Sequence, residues 1–250
     1  MFHYEISGQG TPVVFIHGFM ENAGMWNTVG RIPGVQRIAV DLFGHGKTPF
    51  SDDVSSEEGM KWMASKVIEI IDHLKLPCVQ LVGHSLGGYV ALEIFSAIPE
   101  RIEHVTLLHS HPWEDNEDKK ADRLRVAHLV QTKASTFIRE AIPNLFFRPM
   151  DHVQDVDRYQ QMALEMNPKA IAWSALAMRS RKDHTRTISG NADRFTLVHG
   201  KYDPLIPLEK VREFTSENAI SLILLENSAH MGMVEETQNC MNILEMILVE

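Results

Sequence analysis

The sequence has little cysteine, a deficit of basic residues and no long apolar run, and each shortage excludes a class of protein. Cys78 and Cys240 are the two cysteines among 250 residues, too few for a disulfide framework and typical of a reducing, cytoplasmic location. Acidic residues outnumber basic ones by 33 to 24, which gives a formal net charge of −9. We therefore expect neither nucleic acid nor an anionic membrane as a partner, because both attract a basic face. The apolar runs are of strand length, which excludes a spanning helix.

The remaining composition is typical of a globular protein. Hydrophobic residues make up 44% and charged residues 23% of the chain, and the absence of a low-complexity tract argues against disorder or a fibre. The length permits one sizeable domain or a domain with an insertion. Residues 1–5 lack a basic segment followed by an apolar run, so we expect no secretory signal.

A serine flanked by glycines lies where a predicted strand meets a predicted helix. Residues 79–82 are an apolar strand, residues 83–87 read Gly-His-Ser-Leu-Gly, and an apolar helix is predicted from Leu86 to Ile98. The spacing G-x-S-x-G is required when a serine sits on a sharp strand-to-helix turn without room for neighbouring side chains. Such a turn exposes the Ser85 hydroxyl, and the N-terminus of the following helix favours negative charge developing beside it.

Apolar strand patterns alternate with helical patterns along most of the chain. An amphipathic helix is predicted to begin near residue 56, with Ser55 or Ser56 as its cap, and further helices near residues 208–215 and from about 235. This rhythm predicts an α/β fold with a mostly parallel sheet of about seven strands flanked by helices, in which ligands bind beyond the carboxyl ends of the strands. The predicted strands are residues 2–7, 12–16, 36–41, 79–82, 105–109, 194–199 and 220–225.

The strand pattern is interrupted between about residues 113 and 189. This stretch begins with the acidic run 114–118 and continues with helical patterns, broken near residues 146–149. We therefore expect residues 1–112 and 190–250 to form the core and residues 113–189 to form an inserted helical subdomain.

A serine nucleophile needs a general base, and the base needs an acid that fixes its tautomer. Asp203 follows the strand 194–199, and His230 follows the strand 220–225. Other carboxylates are less well placed. Asp193 precedes its strand, Glu209 falls within a predicted helix, and Asp41 ends a strand before a glycine-rich loop.

With these motifs the sequence resembles the α/β-hydrolase superfamily. The resemblance is carried by residues 14–19, 41–46, 83–87, 200–203 and 229–230, at both ends of the chain but not in its middle. It implies Ser85 as nucleophile, His230 as base and Asp203 as acid, in the chain order of that superfamily. It also implies an oxyanion hole formed by the backbone N–H groups of Phe19 and Leu86. Some members place the acid after the strand 105–109, but no carboxylate occurs at residues 109–113.

Thirteen histidines invite metal sites, and most are expected to be surface or turn residues. His109 and His111 share a face of an extended segment near acidic residues, but two ligands do not make a site. We therefore expect no metal and no cofactor. The expected pocket lining comprises residues flanking the catalytic loops, namely Met20, His84, His109, His111 and Met231.

The resemblance and the motifs together predict a serine carboxylesterase whose helical insertion caps a pocket for a small, neutral and partly apolar substrate. Ser85 argues against haloalkane dehalogenases and epoxide hydrolases, which use a carboxylate nucleophile. Carbon–carbon bond hydrolases, thioesterases, peptidases, lactonases and lyases use the same constellation and stay open, because fold does not choose among them. A ligand-binding, receptor-like module is the non-enzymatic alternative. No motif in residues 113–189 indicates the substrate, and none indicates an oligomeric state.

Overall fold

The computed structural model describes residues 1–29 and 31–249. Within these ranges, seven strands form one sheet in the order β1-β3-β2-β4-β5-β6-β7, with β1 antiparallel to β3 and the other neighbours parallel. This topology confirms the predicted fold class. The strands are β1 (Tyr4–Ser7), β2 (Thr11–Ile16), β3 (Val35–Val40), β4 (Val79–His84), β5 (Ile102–Leu108), β6 (Phe195–Gly200) and β7 (Ser221–Leu225).

Helices cover both faces of this sheet. They are α1 (Gly59–His73), α2 (Leu86–Ala97), α3 (Glu117–Ala141), α4 (Val153–Leu164), α5 (Pro168–Arg179), α6 (Thr185–Ser189), α7 (Leu208–Glu217), α8 (Gly232–Glu235) and α9 (Thr237–Val249). Within the described ranges, no helix has the length and apolar character needed to cross a bilayer. Both cysteines are free thiols.

Alternate residues of β2 enter two separate hydrophobic cores. Val14 and Ile16 pack in the core that includes α1 and α2, whereas Val13 and Phe15 pack in the core that includes α9. The Phe15 ring lies 5.2 Å from that of Trp26. A strand buried on both faces reads as a continuous apolar run, which is why this strand was predictable from sequence.

The start of α1 differs from the prediction. The helix begins at Gly59, after Glu58 in a left-handed conformation (φ 52°) with no side-chain cap, and not at a serine-capped residue 56. A Cβ on Gly59 would lie 2.5 Å from the Ala177 Cβ, and the Trp173 indole donates to the Val54 carbonyl (2.7 Å). Docking of α5 therefore sets the start of α1, a tertiary effect that outweighs local capping.

The chain between β5 and β6 contains the helices α3 to α6. Asn116 caps α3 by accepting the Lys119 N–H (2.9 Å), and α3 kinks at Lys133. The two ends of the segment meet where the His184 N–H donates to the Pro112 carbonyl (2.8 Å). Ile188 of α6 is buried in the sheet's own core. The helical content matches the sequence pattern, and a separate cap domain over residues 113–189 stays a prediction.

Candidate active site

Ser85 occupies the turn between β4 and α2 in a rarely populated conformation (φ 49°, ψ −114°). Its N–H donates to the Leu108 carbonyl (3.0 Å), and its carbonyl accepts the Ser110 hydroxyl (2.8 Å). A Cβ on Gly83 would lie 2.6 Å from the Gly87 carbonyl oxygen, and one on Gly87 would collide with the backbone of β2. The two glycines let α2 approach the sheet closely enough to hold Ser85 in this turn.

His230 and Asp203 lie in the loops after β7 and β6 and are hydrogen-bonded to each other. The His230 Nδ1 is 2.7 Å from Oδ2 of Asp203. The other oxygen, Oδ1, accepts the backbone N–H groups of Leu205 (2.9 Å) and Ile206 (3.1 Å). Burial by itself would raise the pKa of Asp203, but the His230 and His109 imidazoles hold it well below 3.8. Asp203 is therefore a buried, ionised carboxylate that is hydrogen-bonded to the His230 ring.

A cavity of about 360 Å³ lies over Ser85 and His230. One part of its wall is apolar and comes from the loop after β2, from α3 and the turn that follows it, and from the loop after Asp203. Its members include Phe19, Val126, Phe137, Ala141, Leu145 and Ile206. The size and the apolar lining suit a small organic molecule.

Another part of the wall is polar and includes Asp115, Arg123, Tyr89 and His111. Asp115 lies between two guanidinium groups, 2.7 Å from Arg181 and 3.2 Å from Arg123. The Tyr89 hydroxyl is 3.0 Å from Nε2 of His111. Burial, together with the positive charge of Arg181, holds the pKa of His111 well below 6.5, so this ring is neutral.

The cavity wall contains three of the five residues expected there, Met20, His84 and His111, but neither His109 nor Met231. The last two are completely buried. The backbone of His109 is left-handed (φ 46°), and its ring nitrogens lie 3.2 Å from the N–H groups of Gly200 and Gly232. Met231 packs in the core that includes α9.

The two histidines considered as a metal-binding pair, His109 and His111, lie in different environments. His111 contacts Tyr89, whereas the His109 Nδ1 lies 3.5 Å from Oδ2 of Asp203. Among the described residues, one group has the spacing of metal ligands: His109, His199 and Asp203, with ligand atoms within 4.8 Å of one another. Burial lowers the pKa of His109 to about 3, so that ring is neutral. Asp203 Oδ2 already accepts a hydrogen bond from His230.

The loop after β2 carries Phe19, one of the two residues expected to form an oxyanion hole; the other, Leu86, is the first residue of α2. His17 holds this loop with both ring nitrogens. Nδ1 donates to the Gly18 carbonyl (2.7 Å), and Nε2 accepts the Leu42 N–H (2.9 Å). Met20 is left-handed (φ 63°).

Glu21 is a buried residue of this loop that sequence reasoning missed. Its Oε2 accepts the Gly18 N–H (2.5 Å) and lies 2.9 Å from Nδ1 of His84. The available signals were an acidic residue three positions after Gly18 and a histidine directly before Ser85. Neither signal shows by itself that the two side chains meet.

A comparison with known families decides the affiliation of this chain: the sequence profile of the alpha/beta hydrolase family matches residues 13–240. The chain belongs to the α/β hydrolase family. The curated sequences that this α/β hydrolase resembles include the pimeloyl-(acyl-carrier protein) methyl ester esterase of Aeromonas hydrophila. That protein is 26% identical over 251 residues, which cover 95% of each chain.

The dihydrolipoyllysine-residue acetyltransferase component of the acetoin cleaving system of Pseudomonas putida is 27% identical over 244 residues. The match covers 94% of this α/β hydrolase but 63% of that relative, so the chain spans less than two thirds of its length. Among solved structures, a thermophilic esterase from Thermogutta terrifontis superposes with a TM-score of 0.91 at 25% identity, covering 99% of this chain and 93% of the other.

Proposed function

We propose that this α/β hydrolase is a serine hydrolase that cleaves a small-molecule carboxylic ester through an acyl-enzyme on Ser85. The observation that carries the proposal is that Ser85, on its strained turn, and His230, held by buried Asp203, line the same cavity. A hydroxyl, an imidazole and a carboxylate in these relations are the parts that nucleophilic acyl transfer requires.

Each residue has one role in the proposed reaction. His230 Nε2 accepts the proton of the Ser85 hydroxyl while Oγ attacks the ester carbonyl carbon. His230 then gives that proton to the leaving alcohol as the carbon–oxygen bond breaks, and the acyl group stays on Ser85. A water molecule, deprotonated by His230, releases the acid and restores the serine. Asp203 stays ionised and keeps the proton on Nδ1 of His230.

The N–H groups of Phe19 and Leu86 are the proposed donors to the oxyanion of the tetrahedral intermediates. Leu86 begins α2, so the positive end of that helix dipole adds to the effect. The loss of one such donor costs roughly 10²–10³ in rate.

The helical segment between β5 and β6 is the proposed cap. The residues that it contributes to the cavity wall determine which substrates fit. Val126, Phe137, Ala141 and Leu145 of this segment contribute apolar surface to the cavity. The His230 N–H donates to the Leu145 carbonyl (2.9 Å), so the segment contacts the proposed base directly. A neutral, partly apolar acyl group fits this wall, and the two relatives described as esterases favour an ester over other acyl derivatives.

Turnover of a compound panel tests this function. The panel comprises p-nitrophenyl esters of increasing acyl length, a thioester, an anilide and a lactone, assayed with wild type and with Ser85→Ala. Ser65→Ala is the matched control, because Ser65 is an exposed residue of α1. We expect ester turnover by wild type and by the control but not by Ser85→Ala.

Equal ester turnover by Ser85→Ala would refute the proposed nucleophile. If wild type binds panel members without turning them over, the receptor-like alternative replaces the enzyme. A preference for the thioester, anilide or lactone would replace the ester as substrate class while keeping the mechanism.

A further inference from the structure

His84 and Glu21 form a buried pair next to the proposed catalytic residues that the reaction described above does not use. Their side chains are 1% and 3% exposed. His84 ends β4 immediately before Ser85, and Glu21 belongs to the loop that carries Phe19. The His84 Nε2 lies 3.0 Å from the carbonyl oxygen of His230. The His84 ring therefore links the turn after β4, to which it is adjacent, with the loop after β2 through Glu21 and with the loop after β7 through the His230 carbonyl.

The hydrogen-bond partners of this ring determine its protonation. A carbonyl oxygen only accepts hydrogen bonds, so Nε2 must carry a proton to bond to His230. At the other nitrogen, Oε2 of Glu21 already accepts the Gly18 N–H (2.5 Å) and lies 2.9 Å from Nδ1. Burial would raise the pKa of Glu21, but the facing His84 ring and the Gly18 N–H hold it below 4.5, so Oε2 is a carboxylate oxygen and the proton between it and Nδ1 belongs to His84.

We propose that His84 is an imidazolium ion at neutral pH, and that its buried ion pair with Glu21 positions the Phe19 loop against Ser85 and His230. His84 and Glu21 are thus positioning residues for the acyl transfer proposed above, on which their functional role rests. The protonation state of His84 does not depend on that function.

The surrounding charges agree with this assignment. Burial disfavours the charged form, but Glu21 next to the ring raises the pKa of His84 above 6.5, and Asp203 adds to this effect. The facing rings are His230 and His109, with centroids at 5.1 Å and 5.8 Å, and His17. Burial lowers the pKa of His109 to about 3 and also lowers that of His17. These two rings are neutral and do not compete for the Glu21 charge.

The pair also accounts for the local sequence. A Cβ on Gly18 would lie 2.6 Å from both Oε2 of Glu21 and Nδ1 of His84, so the pair requires glycine at this position. Because Oε2 holds the Gly18 N–H, the carboxylate fixes the backbone directly before Phe19. The direction of the Phe19 N–H, the proposed oxyanion donor, thus depends on this buried charge pair.

The protonation state is tested on the wild-type protein by long-range ¹H–¹⁵N NMR with ¹⁵N-labelled histidine. At about pH 8 an ordinary histidine is neutral, so we expect a doubly protonated ring to stand out among mostly neutral ones. Comparison with His84→Gln assigns it, and in Glu21→Gln the His84 signal should become that of a neutral ring. A wild-type spectrum at that pH without a doubly protonated ring overturns the proposal whether or not either variant folds.

Steady-state kinetics test the positioning role. We expect Glu21→Gln to lower kcat about 10- to 100-fold with KM changed less than about threefold, because misplacing a donor weakens the transition state more than the bound ester. Glu57→Gln, at an exposed glutamate, is the matched control. The double variant Glu21→Gln/His84→Gln should be no slower than the slower single variant, because both changes remove one pair.

Folded Glu21→Gln with an unchanged kcat, or additive losses in the double variant, would contradict the positioning role. Absence of ester turnover in wild type would instead contradict the proposed function and leave the NMR result standing, so the two failures are distinguishable.

Discussion

Replacing Asp203 by Asn changes one atom and tests the proposed acid. Asp203 Oδ1 accepts two backbone N–H groups, from Leu205 and Ile206, so the asparagine oxygen takes that side and its NH₂ group takes the place of Oδ2. That group then lies 2.7 Å from Nδ1 of His230. An NH₂ group only donates, so Nδ1 must accept and the proton moves to Nε2. His230 then cannot take the proton of Ser85.

The expected loss follows from this wrong tautomer. An equivalent change in a serine protease lowers kcat by about 10⁴, which corresponds to about 5.4 kcal/mol in the activation free energy. Folding should be affected much less, because the side-chain volume and both backbone hydrogen bonds are kept. We expect a loss of about 2 kcal/mol in stability, or a few degrees in Tm.

The assay is kcat on a p-nitrophenyl ester together with Tm from differential scanning fluorimetry. Asp193→Asn is the matched control, because Asp193 lies in the turn that precedes β6, at the opposite end of that strand from Asp203. A kcat for Asp203→Asn within about tenfold of wild type would refute the assignment of Asp203 as the acid.

Three further outcomes follow from the same structure. Gly87→Ala should lower Tm by several degrees, because the added Cβ would meet the β2 backbone. Gly190→Ala is the control and should leave Tm unchanged, because the nearest atom to its added Cβ is 3.3 Å away. Equal Tm values for the two variants would contradict the close packing at Gly87. Because the pKa of Asp203 is lowered, its ionised form stabilises the fold above about pH 4, and this contribution is lost as pH falls through the folded pKa. In urea titrations, the stability gap between wild type and Asp203→Asn should narrow below about pH 4; a gap independent of pH would contradict the lowered pKa. Hydrogen exchange in α3 and α4 should be faster than in β4 and should slow when a covalent Ser85 adduct fills the cavity, whereas uniform protection would argue against a mobile cap.

The sequence predicted features that local physics determines. The turn at Ser85 was readable because its glycines, its strand and its helix are adjacent in the chain. The order of Asp203 and His230 after their strands placed them at one edge of the sheet, since parallel strands end on the same side.

Features that depend on side-chain direction or on distant partners were not predictable. His109 follows a strand at the correct edge, but a left-handed backbone turns its ring toward Asp203 and away from the cavity. Glu21 and His84 are separated by 63 positions, and neither has a sequence pattern that pairs them. The start of α1 depended on the docking of Trp173 from a distant helix.

Labelling with a fluorophosphonate probe, followed by peptide mass spectrometry, tests the central claim most directly. The probe phosphonylates an activated serine and needs no knowledge of the ester substrate. We expect one adduct, on the peptide that contains Ser85, and none at that position in Ser85→Ala. Labelling of Ser85→Ala as strong as that of wild type, or an adduct confined to another residue, would contradict Ser85 as the nucleophile.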